Sequence, residues 1–102
     1  MKRGHMQEYH ETTGTVDGWE RAGDRLLRTF EFQSFADAIA FVVKASGKIE
    51  QMDHHPEWQN VNRRLHVELT THNTCSITQL DEELALHLNA LYTAFHEGIV
   101  TL

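Results

Sequence analysis

The pattern of apolar residues along the chain predicts an α+β fold, a four-stranded antiparallel sheet with two or three helices packed on one face. Two observations carry this. The chain holds two pairs of short alternating segments, each pair closing on a two-residue turn. Each pair is followed by a long segment of helical periodicity that opens on a capping box, which gives the order β-β-α-β-β-α. With 102 residues there is room for one domain, expected over residues 16–102, and no repeat or linker interrupts it.

The first strand pair is expected at residues 19–22 and 25–32 around Gly23-Asp24, a dipeptide suited to the positive φ angles of a tight hairpin, with Leu26, Phe30 and Phe32 on one alternating face. Ser34 and Asp37 form the first capping box, and Phe35, Ile39, Val42, Ser46 and Ile49 then recur at helical spacing over residues 35–52. Ala38, Phe41 and Ala45 widen this apolar arc beyond what one face of a small sheet covers, so the helix is expected to meet a second subunit as well. Residues 57–61 and 65–71 make the second strand pair around Asn62-Arg63. Leu65, Val67 and Leu69 are read as facing inward, and His66, Glu68 and Thr70 outward. Thr78 and Asp81 form the second capping box. Leu80, Leu84, Leu88, Leu91 and Phe95 follow on a helix that Gly98 can terminate.

Composition excludes several classes of function. The chain has 15 acidic against 9 basic side chains and a formal charge of −6, whereas a binder of the phosphate backbone needs a basic face. Direct nucleic-acid binding is not expected. No apolar run approaches the roughly 20 residues of a membrane helix, and residues 1–15 are polar rather than signal-like, so a cytoplasmic protein without membrane contact is expected. The single Cys75 rules out an internal disulfide framework. Residues 1–15 read as a poorly structured segment, and Gly4-His5-Met6 within it looks like a tag remnant, although Met1-Lys2-Arg3 precedes it.

Eight histidines are many for this length, and His54, His55, His66 and His72 fall close together. With Asn62-Arg63 as the turn, opposing residue numbers sum to 125, which places His72 across from Asp53 and beside His54. Pro56 lacks an N–H, tolerates a strand start and holds His55 extended. His54, His55 and His72 are therefore expected to converge at one end of the sheet. Asp53 and Glu50, in the last turn of the preceding helix, would be within reach to accept a hydrogen bond from an imidazole. Imidazoles titrate near neutrality, so two of them flanking a small substrate could remove one proton and deliver another, which suits loss of water.

These residues resemble the pterin-4a-carbinolamine dehydratase family. The resemblance rests on Asp53-His54-His55-Pro56-Glu57-Trp58, Asn60-Val61, Leu69-Thr70-Thr71-His72 and Asp81. Upstream it extends through Gly18-Trp19-Glu20, Arg28-Thr29-Phe30-Glu31-Phe32 and Phe35 with Ala38 and Phe41. It implies a hydro-lyase that converts 4a-hydroxytetrahydropterin to quinonoid dihydropterin in the recycling of the pterin used by aromatic amino acid hydroxylases, with no metal and no cofactor. It further implies that His54 and His72 carry the acid and base roles, that His55 orients the pterin, and that Asp53 and Asp81 support them. A homodimer or homotetramer built through a sheet edge and the helix at residues 35–52 is the implied assembly. The chain departs from the family pattern at Asn62, where an aromatic residue is usual, and in Asn73-Thr74-Cys75-Ser76, where a glycine-containing loop is usual. Those departures motivate the alternative of a non-catalytic assembly or dimerisation factor on the same fold.

Each candidate also has a structural reading. Asp81 can be a helix cap alone, Glu50 a solvated helix residue, and Trp58 core rather than a wall of the pterin pocket. His66 alternates outward with Glu68 and reads as a solvated sheet residue, and His87 and His96 fall on the last helix without partners at useful spacing. Three histidines with Asp53 are adequate zinc ligands, but adjacent extended His54 and His55 point apart. Cys75 could act as a thiolate beside His72, yet nothing else in the segment marks a covalent site.

Overall fold

The structure, a computed structural model, describes residues 14–96. The expectations for residues 1–13 and for Gly98 lie outside the described residues.

The elements follow the expected order: β1 (Glu20–Ala22), β2 (Arg25–Glu31), α1 (Phe35–Met52), β3 (Glu57–Val61), β4 (Arg64–Leu69) and α2 (Gln79–His96). All pairings are antiparallel and the sheet order is β1-β2-β4-β3, so β1 and β3 are its edges. Both hairpins place their first loop residue in the left-handed region, Gly23 at φ 64° and Asn62 at φ 55°. Asparagine tolerates that conformation better than a bulky side chain does, which gives a backbone reason for Asn62 at this turn. The Val61 to Arg64 pairing confirms the hairpin register expected from the turn.

The core lies between the sheet and the two helices. Leu26 and Phe30 on one side of β2, Phe32 just past its end, and Leu65, Val67 and Leu69 on the same side of β4 pack with Ala38, Phe41, Ala45 and Ile49 of α1 and Leu84, Ala85 and Leu88 of α2. Phe30, Phe32, Phe41 and Tyr92 form a ring cluster with centroids 4.8 to 6.4 Å apart in mostly edge-to-face contacts, the geometry favoured by aromatic quadrupoles. Trp19 is buried beside it and donates its indole N–H to Oδ1 of Asn89 at 2.7 Å.

The structure decides which apolar row of α1 enters the core and corrects one expectation about facing. On α1 the buried row is Ala38, Phe41, Ala45 and Ile49, while Phe35, Ile39 and Val43 are exposed. Ile49 of the first expected row is thus buried with Ala38, Phe41 and Ala45 of the second, and Val42 is partly buried against the core. Thr70, expected on the outer face, is buried and donates its hydroxyl to the carbonyl of Asp24 at 2.7 Å. Strand β4 ends at Leu69, so the period-two alternation no longer governs Thr70.

Candidate active site

Helix α1 ends on Asp53, whose left-handed conformation (φ 51°, ψ 44°) turns the chain sharply while its N–H bonds the carbonyl of Glu50 at 3.2 Å. The turn separates the two histidines that follow. His54 is directed inward and is buried, whereas the side chain of His55 is exposed. Pro56 then leads into β3. On the other side, β4 runs into Thr71, which pairs with Ser76 across a short loop carrying His72. A cleft of about 380 Å³ opens where these segments meet the start of α2, lined by Asp53, His54, His55, Pro56, Glu57, Thr71, His72, Asn73 and Leu80.

The three histidines thus share one cleft, and their partners differ. Nε2 of His54 is 2.6 Å from Oδ1 of Asp81, a carboxylate with no solvent exposure. Its other oxygen, Oδ2, accepts from the hydroxyl of Thr71 at 2.8 Å and from the N–H of Thr78 at 2.9 Å. Thr78 Oγ1 accepts in return from the N–H of Leu80 at 3.2 Å, completing the capping box of α2. Asp81 is therefore both a helix cap and the partner of His54, and three donors offset the cost of burying its charge. His72 is mostly exposed, with Nε2 3.5 Å from Oε2 of Glu57. His55 lies 3.6 Å from Oδ1 of Asp53.

Some expected neighbours are placed elsewhere. His72 does not oppose Asp53, because the β3 to β4 ladder stops at Glu57 with Glu68 and the chain then leaves the register. Glu50 is exposed and absent from the cleft lining; its recorded contact with the turn is its carbonyl. Trp58 pairs with Val67 and packs its half-buried ring against the core, so it too lies outside the cleft lining. Cys75 is exposed outside the lining, with Sγ 3.6 Å from the carbonyl of His72. It adopts φ 50°, the left-handed position of this loop, while Ser76 is buried and bonded to Thr74 Oγ1 at 2.7 Å. Glu57, Thr71, Asn73 and Leu80 line the cleft without having been singled out. The signal for Glu57 was present, since it begins a strand one proline beyond the histidine pair.

Of three groups with a perturbed charge, Arg25 alone touches a residue that lines the cleft, Glu57. The hydrogen bond to Glu57 holds the Arg25 guanidinium more firmly charged. Burial lowers Arg28, whose guanidinium lies 4.5 Å over the Phe30 ring, and burial followed by the nearby Lys48 lowers His87. Among the described residues no three histidine, cysteine or carboxylate side chains converge to hold a metal ion, and no helix is long and apolar enough to cross a membrane.

Comparison with known proteins places this geometry. The sequence profile described as Pterin 4 alpha carbinolamine dehydratase matches residues 2–91. The chain belongs to the pterin-4a-carbinolamine dehydratase family. Proteins of Brucella ovis and Brucella canis, provisionally named pterin-4-alpha-carbinolamine dehydratases, are each 37% identical over 86 residues, 82% of this chain and 89% of theirs. The crystal structure of a transcriptional coactivator/pterin dehydratase from Brucella melitensis is 37% identical with a TM-score of 0.73, covering 76% of this chain and 84% of that one. A pterin dehydratase-like protein identified as a RuBisCO assembly factor in the alpha-carboxysome superposes at TM-score 0.60 and 16% identity, covering 89% of this chain and 96% of that one. At that identity it shares the dehydratase fold and nothing finer is inferred from it.

Proposed function

We propose that the protein is a 4a-hydroxytetrahydropterin dehydratase acting by histidine general acid and base catalysis, with no metal or cofactor. The convergence of His54, His55 and His72 on one cleft, with His54 set against a fully buried carboxylate, carries this reading. The reaction needs two proton movements. A base removes the proton from N5 of the pterin as an acid protonates the hydroxyl on C4a, the C4a–O bond breaks, and the N5 electron pair forms the C4a=N5 double bond of the quinonoid product.

His54 and His72 supply these roles. Each turns Nε2 to a carboxylate, so Nδ1 is the nitrogen without a recorded partner among the described residues. Asp81 orients the His54 ring through the 2.6 Å contact at Nε2. His55 and Asp53, exposed at the rim, contact the pterin as it enters. Acid and base help of this kind contributes roughly 10² to 10⁴ in rate, enough for a reaction that already proceeds unaided. The enzyme would work in the cytoplasm beside a pterin-dependent aromatic amino acid hydroxylase.

Stopped-flow dehydration of 4a-hydroxytetrahydropterin with wild type, His54→Ala and His72→Ala tests the reading. The wild type is expected to accelerate the reaction and each variant to lose most of that acceleration. No acceleration by the wild type would favour a non-catalytic assembly factor instead.

We further propose self-association through two surfaces. Phe35, Ile39 and Val43 form an exposed apolar row along α1, 54%, 39% and 64% accessible. Such a row on a 102-residue chain is expected to bury itself against a second copy. Edge strand β3, with exposed Val61, offers unpaired backbone groups for the other contact.

A further inference from the structure

A chain of charged side chains runs across the sheet face opposite the helices and ends at the cleft. Glu57 directs Oε2 toward Nε2 of His72 at 3.5 Å and accepts through Oε1 from Nη1 of Arg25 at 2.9 Å. The same Nη1 lies 3.2 Å from Oε1 of Glu68. Oε2 of Glu68 lies 3.0 Å from Nε2 of His66, whose Nδ1 is 2.9 Å from Oγ1 of Thr29. Three strands contribute: β2 supplies Arg25 and Thr29, β3 supplies Glu57, and β4 supplies His66 and Glu68.

The register explains why this chain must exist. Glu57 and Glu68 are directly opposed across the β3 to β4 ladder, and like charges in that position repel. Arg25 lies between them and bonds both, so the repulsion becomes a bridge that fixes the Glu57 carboxylate in place. His72 has the opposite problem. It sits mostly exposed on a loop, and Glu57 is its ring's recorded side-chain partner among the described residues.

We propose that Glu57, clamped by Arg25, is a positioning residue that holds the His72 ring with Nε2–H outward and Nδ1 toward the cleft. This rests on the acid and base reading of the histidines. A neutral imidazole carries one N–H, and an acceptor placed at Nε2 selects the tautomer whose lone pair is on Nδ1. A single exposed ion pair would hold the ring weakly, whereas a carboxylate already pinned from its other oxygen belongs to the networked cases that hold better.

Histidine ¹⁵N NMR on the full chain at about pH 9, where neutral imidazole prevails, reads the tautomer without any substrate. The wild type is expected to show the Nε2–H form at His72 and Glu57→Ala a mixture of the two. Glu57→Gln, whose amide oxygen still accepts, should return most of the preference, and Arg25→Ala should lose part of it. In stopped-flow assays Glu57→Ala should lower kcat about three- to five-fold with KM unchanged, and Glu57→Gln should recover most of that loss. A mixed tautomer in the wild type, or unaltered kcat in a Glu57→Ala protein whose amide spectrum remains native, overturns the proposal. A wild type that holds the Nε2–H form yet fails to accelerate dehydration removes the catalytic reading and leaves the clamp standing.

Discussion

Nε2 of His54 and Oδ1 of the fully buried Asp81 lie 2.6 Å apart, joining the end of α1 to the start of α2 beside the cleft. One carboxylate thereby ties together a helix cap, the Thr71 hydroxyl and the imidazole expected to move a proton. On the proposed mechanism, stability and activity are coupled at Asp81.

Asp81→Asn should therefore injure both. An amide presents one acceptor oxygen to donors that now share two, so a buried donor is left short and stability should fall by roughly 1 to 3 kcal/mol. The same change weakens the hold on His54, and the dehydration rate should fall at least about ten-fold. Urea denaturation and stopped-flow kinetics on one preparation read the two losses, and a variant losing stability alone would confine Asp81 to capping.

The two proposed proton-transfer histidines should separate in their effect on folding. His72→Gln alters an exposed loop side chain and should change stability by no more than about 0.5 kcal/mol. His54→Gln disturbs a buried, hydrogen-bonded group and should cost roughly 1 to 3 kcal/mol. Equal unfolding midpoints for the two variants would contradict the burial difference.

The loop after His72 carries its backbone strain at Cys75. A cysteine at φ 50° adopts a conformation that glycine tolerates freely, so Cys75→Gly should raise stability by up to about 1 kcal/mol. Ser76→Gly should lower it, since Ser76 lacks the positive φ and loses a 2.7 Å hydroxyl contact with Thr74. Thermal unfolding of the pair decides between the two positions.

Acid should destabilise the fold partly through His87. Burial and the neighbouring Lys48 lower its folded-state value below that of the unfolded chain, so on acidification the unfolded state takes up the proton first. This contribution is present above about pH 6.5 and is lost as the pH falls through the lowered folded value. His87→Gln should flatten the decline in stability below that pH, measured by denaturation across a pH series.

The exposed row on α1 gives a prediction about assembly. Ile39→Asp and Val43→Asp place charges at positions that the monomer leaves exposed, so the fold should survive while the oligomer dissociates. Light scattering after size exclusion should show a fall to monomer mass, and an unchanged mass would move the contact to the sheet edge.

The boundaries of α1 and β3 and the turn at Asn62-Arg63 were legible in the chain because local rules set them: capping boxes, period-two alternation and a loop residue suited to positive φ. The gathering of His54, His55 and His72 at one end of the sheet was expected from hairpin counting, which holds from Val61 with Arg64 to Glu57 with Glu68. Counting failed further out, where β4 ends and His72 faces Glu57 instead of Asp53.

By itself, then, the sequence determined the element order, the family and which three histidines to gather. Tertiary structure decided which face of α1 enters the core, because the apolar arc is wider than the sheet covers and local spacing does not say that Ala38, Phe41, Ala45 and Ile49 are the ones buried. It also decided the partners. Asp81 meets His54 across 27 residues of chain, and Glu57 meets His72 through a departure from strand register, contacts set by how the elements pack and not by any local spacing.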